Sequence, residues 1–207
     1  MTPVDRRRNE KISMRKIIQI VHTSLDGFVA GPNGELEWFE NAGEHLDFVN
    51  ELTNSADALL MGRTSYQMLD SYWPSAKDSP DAKQNEIAYS NWYNQTTKYV
   101  LSKTQNGADQ KNTSFISKDI TKTITVIKSQ TANDILIFGS PSVFQLLSKS
   151  NLIDEYWIFV NPVIFGTGIP LFASMNKRIK LKLLETKKIS NGEVALHYET
   201  KSSTSLF

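Results

Sequence analysis

The sequence predicts an α/β fold, a three-layer sandwich in which a mixed, mostly parallel central sheet carries helices on both faces. Three observations predict it. Short β-branched apolar runs alternate with segments of helical period, two of those runs stop at a glycine that opens a helix, and the chain closes with a hairpin pattern around Ser190-Asn191-Gly192. Alternation of this kind makes consecutive strands parallel with helices as crossovers, and an antiparallel hairpin then borders the sheet.

Residues 16–21 form the first strand, and Asp26-Gly27 turns the chain into the short extended piece Phe28-Val29-Ala30. Residues 31–34, with Pro32 and Asn33 inside, form a loop. A helix over 44–52 turns Leu46, Phe48 and Val49 inward. The second strand, 58–61, ends at Gly62-Arg63-Thr64, after which Tyr66, Met68 and Leu69 resume a helical pattern over 64–69, with Thr64 able to cap. A helix over 81–94 contains Tyr89, Trp92 and Tyr93, and leads to a strand at 99–101. Beyond a polar loop at 106–112, Ile120, Ile124 and Ile127 share one face of a helix over 117–130 despite its threonines. The run 135–138 is a buried strand stopped by Gly139-Ser140-Pro141. Ser140 suits a cap, Pro141 the first helical position, and Val143, Leu146 and Leu147 the inward face of the helix. Residues 155–160 are a strand, 165–170 a glycine-rich loop, and 180–187 with 193–200 the closing hairpin.

With 207 residues and 40% apolar content, the chain reads as a single domain over 15–201, between a flexible N-terminal tail at 1–14 and a flexible end at 202–207. The tail carries Arg6-Arg7-Arg8 and Lys11 but no apolar core of a secretory signal. A net charge of +1, with both signs interspersed, argues against a nucleic-acid surface. The absence of cysteine excludes disulfides, thiolate nucleophiles and cysteine-based zinc sites. His22, His45 and His197 have no metal-type spacing, so no metal is expected, and His45 reads as a surface histidine. Apolar runs are far shorter than the roughly 20 residues of a membrane span, so the expectation is a cytoplasmic chain without membrane partners.

The two glycine corners carry the chemistry. Each exposes first-turn amides of a helix at the carboxyl end of a strand, where an anion is stabilised by unsatisfied N–H groups and the helix dipole. Two such corners can hold one extended anionic ligand, and Arg63 adds a planar cation suited to phosphate. Read blandly, the glycines only turn the chain and Arg63 is a surface residue.

Several motifs in order resemble the dihydrofolate-reductase-like superfamily: Ser24-Leu25-Asp26-Gly27, the stretch from Ala56 through Gly62-Arg63-Thr64-Ser65-Tyr66, Tyr72-Trp73-Pro74, Leu101-Ser102-Lys103, Gly139-Ser140, Leu152-Ile153-Asp154-Glu155, Pro162-Val163-Ile164, and Gly166-Thr167-Gly168-Ile169-Pro170-Leu171-Phe172. Within it the match is to the reductase, C-terminal domain of the bifunctional riboflavin-biosynthesis deaminase/reductase, RibD. The resemblance implies an NADPH-dependent reductase. Gly62, Arg63 and Thr64 would meet the adenosine phosphates, Ser102 and Lys103 the same 2′-phosphate as Arg63, and Gly139, Ser140, Pro141 and Ser142 the pyrophosphate. It also implies an acid on the first helix, matched by Asp47 with Glu44 as the alternative, and a tryptophan lining the site, matched by Trp38. Both acids read equally as solvated surface groups.

The zinc deaminase half of the bifunctional enzyme is absent, because no H-x-E with a later P-C-x-x-C occurs. Trp157 and Phe159 alternate on one strand as core or as a dimer face, and the family resemblance favours a homodimer. Three readings stand: a reductase of a pteridine-like or aminopyrimidine small molecule, a non-catalytic NADPH-binding module, and a structural homo-oligomer.

Overall fold

The computed structural model describes residues 14–38, 43–103, 112–173, 175 and 178–201. Most of the expected N-terminal tail, the end at 202–207 and nearly all of the polar loop at 106–112 lie outside the described residues. In chain order the elements are β1 (Ile17–Thr23), β2 (Phe28–Ala30), α1 (Glu44–Thr53), β3 (Ala56–Gly62), α2 (Arg63–Asp70), α3 (Trp73–Ala76), α4 (Gln84–Gln95) and β4 (Thr97–Leu101). They continue with β5 (Thr113–Ile116), α5 (Ile120–Lys128), β6 (Asp134–Phe138), α6 (Pro141–Lys149), β7 (Glu155–Val160), β8 (Ile169–Pro170), β9 (Leu181–Lys188) and β10 (Val194–Thr200).

Eight strands form one sheet in the order β5-β4-β3-β6-β1-β7-β10-β9. All neighbours are parallel up to β7, while β10 runs antiparallel to both β7 and β9. The mixed sheet with a terminal hairpin is therefore the predicted one. A separate ribbon pairs β2 with β8, which places a short strand inside the loop expected at 165–170.

Alternation along the strands sorts the core into two layers. Ile18 and Ile20 of β1, Leu59 and Met61 of β3 and Trp157 and Phe159 of β7 pack with Leu46, Phe48 and Val49 of α1, Tyr66 of α2, Trp73 of α3, and Tyr89 and Tyr93 of α4. On the other face Ile17, Val21, Leu60, Ile135 and Ile137 meet Ile124 and Ile127 of α5 and Val143, Phe144 and Leu147 of α6. Each such side chain contributes roughly 1.5–3 kcal/mol when fully buried. Trp157 and Phe159 thus belong to the core: Phe48 packs edge-on against both rings, and His197 stacks on Trp157.

Local details depart from expectation at the helix starts. Thr64 lies inside the first turn of α2, whose N-cap is Gly62 with no side-chain cap. Ser140 does precede α6, but it is left-handed, at φ 55°, and makes no cap bond. Its hydroxyl is engaged elsewhere.

Candidate functional site

Because β3 and β6 are parallel neighbours, with Leu59 opposite Leu136, their carboxyl ends emerge at the same rim. Gly62 ends β3 and Gly139 follows β6, so the two corners, far apart in the chain, become adjacent. They touch: the Gly62 N–H donates to Ser140 Oγ at 2.9 Å. A Cβ at position 62 would stand 2.8 Å from that oxygen, and 3.5 and 3.7 Å from Val143 Cγ2 and Ser142 Oγ. Glycine is required here by close approach, since the backbone itself, at φ −78°, suits any residue.

The second corner is held from β1. The Gly139 N–H donates to the Ile20 carbonyl at 3.0 Å, and the Gly139 carbonyl accepts from the fully buried Gln19 Nε2 at 2.9 Å. Gly139 is left-handed, at φ 55°, with open space where a side chain would begin. Two consecutive left-handed residues, the second a serine, place local strain of about 1–2 kcal/mol at this corner. The bond from Gly62 to Ser140 offsets it.

A third strand end joins the row. Leu101 of β4 pairs with Gly62, and the next residue, Ser102, is buried with its N–H donating to the Ile116 carbonyl at 3.1 Å. Lys103, Arg63, Thr64 and Ser142 are exposed beside these corners, and Pro141 opens α6. All nine residues expected to meet a nucleotide therefore lie along one rim formed by β4, β3 and β6.

The residues expected on the substrate side are more dispersed. Glu44 Oε2 accepts from the Ser190 N–H at 2.8 Å, and the Ser190 contacts hold its carboxyl below the ordinary value. Asp47 is exposed and accepts from Asn85 Nδ2 at 2.9 Å. One carboxylate thus turns to the hairpin tip and the other to α4. Trp38 packs edge-on against Phe165 at 5.2 Å, and its Nε1 donates to the Glu35 carbonyl at 3.2 Å. The Phe165 loop is itself pinned by Asp26, which accepts the N–H groups of Phe165 and Gly166 at 3.1 and 2.7 Å and the Ser24 hydroxyl at 2.6 Å. The Ser24 hydroxyl and then the two amides keep the Asp26 carboxyl below its usual range.

A cluster absent from the sequence reading lies beyond Gly139 on β1. His22 is two residues past Ile20 and faces the α1 layer, where it meets His45, which is buried rather than on the surface. Their Nε2 atoms are 3.1 Å apart. Glu193, fully buried just before β10, places Oε1 3.4 Å from His22 Nδ1 and Oε2 3.2 Å from His45 Nδ1. Both are ion-pair contacts whose geometry falls short of a well-aligned hydrogen bond at the carboxylate oxygens and at His45 Nδ1. Burial drives His22 below its ordinary pKa, against the pull of the Glu193 carboxylate. Burial also opposes ionisation of Glu193, but contact with the two imidazoles outweighs it and holds that carboxyl at about 2. The sequence signal was parity: a histidine in register with inward Ile18 and Ile20 has to face the core.

Comparison with known proteins follows the same outline. The sequence model of the RibD C-terminal domain matches residues 15–195. The protein YyaP of Bacillus subtilis (strain 168) is 32% identical over 191 residues, covering 90% of this chain and 96% of that protein. Among solved structures, a pyrimidine reductase-like protein from Corynebacterium diphtheriae superposes with a TM-score of 0.64 at 14% identity, covering 91% of this chain and 93% of that one. Dihydrofolate reductase from Enterococcus faecalis, complexed with NADP(H) and RAB-propyl, gives a TM-score of 0.61 at 14% identity, covering 90% of this chain and 97% of that one. At that identity the likeness is one of fold.

Proposed function

Because the chain belongs to the RibD C-terminal domain family, we propose that it is an NADPH-dependent reductase delivering a hydride to a pteridine-like or aminopyrimidine small molecule. The observation that carries this reading is the junction of the glycine corners, where Gly62 donates to Ser140 and open space lies over Gly139. The rim fits a dinucleotide phosphate. Helices α2 and α6 both begin at this rim without a side-chain cap, and a helix N-terminus favours anionic oxygens. Arg63 and Lys103, both exposed, supply the two cations that a 2′-phosphate calls for, with Thr64, Ser102 and Ser142 as hydroxyl partners.

When bound, the nucleotide supplies the hydride from its reduced nicotinamide. The chain's part is to grip the phosphates, orient the ring and exclude water. Trp38 and Glu44 are assigned to the substrate side and Asp47 to proton delivery. That last role rests on the family resemblance, the carboxylate itself being exposed beside Asn85. A homodimer belongs to the same reading, with Ile164, Ile169 and Phe172 offering exposed apolar surface, and sedimentation of the full chain as a monomer would remove it.

Fluorescence titration tests the assignment. NADPH binds at least tenfold more tightly than NADH, and Arg63→Ala and Lys103→Ala each weaken NADPH by roughly tenfold while leaving NADH unchanged. Equal affinity for the two nucleotides refutes the phosphate contacts. Oxidation of NADPH over a panel of pterins and aminopyrimidines then separates a reductase from a non-catalytic NADPH-binding module. Failure to bind either nucleotide leaves the glycines as turn residues in a structural protein.

A further inference from the structure

The His22–His45–Glu193 cluster is not used by the nucleotide rim, and its three members come from β1, the first turn of α1 and the hairpin between β9 and β10. Three separate segments thus spend polar groups on one buried point. A fully buried carboxylate with both oxygens short of a well-aligned hydrogen bond is costly unless a cation lies against it. Either a proton on the imidazoles or a metal ion can supply that charge, and three ligating side chains converging on one buried point suit the ion. Donor atoms held about 2.0–2.2 Å from a tetrahedral zinc stand roughly 3.2–3.5 Å from one another. One ligand atom from each of the three residues lies within 4.8 Å of the others, close enough for small side-chain shifts to reach that separation.

The geometry points to a divalent transition-metal site, zinc being the type ion, ligated by His22, His45 and Glu193. Two imidazoles and one carboxylate suit zinc and its neighbours in the first row, whereas calcium and magnesium take all-oxygen shells. The surroundings hold both rings in place. Phe159 stacks on the His22 ring at 5.0 Å and meets the His45 ring edge-on at 4.8 Å. Asn161 Nδ2 donates to the carbonyls of Thr23 and Phe159 at 3.3 and 3.1 Å, and lies 3.4 Å from His22 Nδ1.

Access comes through His22, whose side chain keeps 15% of its surface, while His45 and Glu193 are closed off. A fourth ligand, water or a heteroatom of a small molecule, enters from that side. This is also the side of the rim. His22 is two residues beyond Ile20, to which Gly139 is bonded, so the ion lies on the order of 7 Å along the strand from the second glycine corner.

The test uses the full chain, stripped with chelator and dialysed. Titration with Zn²⁺ against a chromophoric competitor gives one equivalent per chain, and Co²⁺ in its place gives the intense visible bands of a four-coordinate ion with nitrogen and oxygen ligands. His22→Gln, His45→Gln and Glu193→Gln each weaken the site at least a hundredfold, while His197→Gln, which alters the third histidine, leaves it unchanged. Absence of stoichiometric binding overturns the proposal, as does retention of full affinity in folded Glu193→Gln. Should a ligand variant fail to fold, wild-type stoichiometry and the Co²⁺ spectrum still decide the matter. NADPH affinity is read separately, so failure of the metal site and failure of the nucleotide site are distinguishable.

Discussion

Replacing Gly62 with alanine tests the contact between the two corners directly. At φ −78° and ψ 162° an alanine meets no backbone strain, and by restricting the unfolded chain it should stabilise by about 0.4–1 kcal/mol. The added methyl, however, stands 2.8 Å from Ser140 Oγ, which must retreat by roughly half an ångström and release the Gly62 N–H. A buried amide left without its acceptor costs about 1–3 kcal/mol. The single variant is therefore destabilised by about 0.5–2 kcal/mol. Ser140→Ala loses the same bond and costs a similar amount. The double variant is informative because, once the oxygen is gone, the nearest remaining contacts of the methyl are 3.5 and 3.7 Å, ordinary packing distances. Adding Gly62→Ala to Ser140→Ala should then cost nothing or stabilise slightly, giving a coupling of about 1–2 kcal/mol. Urea denaturation of the four proteins measures it, with NADPH titration alongside to show whether binding follows the junction. Additivity within about 0.5 kcal/mol would refute the contact.

Two further predictions concern regions away from the rim. Glu155 accepts from Lys16 Nζ at 2.6 Å and lies 2.9 Å from His197 Nε2; burial pulls its carboxyl up, but these partners hold it below 4.5, and Lys16 is raised above 10.5 chiefly by its bond to Glu155. The Glu155 contribution is present above about pH 4.5 and lost as pH falls below it, while that of Lys16 is present below about pH 10.5 and lost as pH rises beyond its raised value. Glu155→Gln should flatten both limbs in urea midpoints measured across pH, at a cost of about 1–2 kcal/mol near neutrality, and an unchanged acid limb would contradict the pairing. Asp26→Ala removes the acceptor of the Phe165 and Gly166 amides, and hydrogen exchange at those two amides should accelerate selectively; unchanged protection would mean the loop is held by other contacts.

What could be read in advance followed from local rules. The hairpin at Asn191-Gly192, the strand before Gly139 and the inward faces of α1, α5 and α6 all rest on short-range periodicity, and each was found within a few residues of its expected place. β5 escaped because Thr113, Ser114, Phe115 and Ile116 make a four-residue edge strand after a polar stretch, with too little alternation to announce itself. Ser140 looked like a cap because serine before proline usually is one. Only the neighbouring strand end reveals that its hydroxyl serves Gly62 instead. The histidine cluster lay furthest beyond reach. Residues 22, 45 and 193 share no spacing, and nothing local states that the glutamate after Asn191-Gly192 folds inward rather than toward water.

The placement of β1 also constrains how the polypeptide can assemble. Among the described strands it is the first in the chain, yet it sits between β6 and β7, with Ile18 opposite Leu136 on one side and Glu155 on the other. Its partners are on the order of 120 to 140 residues further along, so most of the chain has to be synthesised before the centre of the sheet can close. Until then the Ile17–Thr23 segment waits without its two neighbours, and an apolar strand in that state is open to pairing elsewhere.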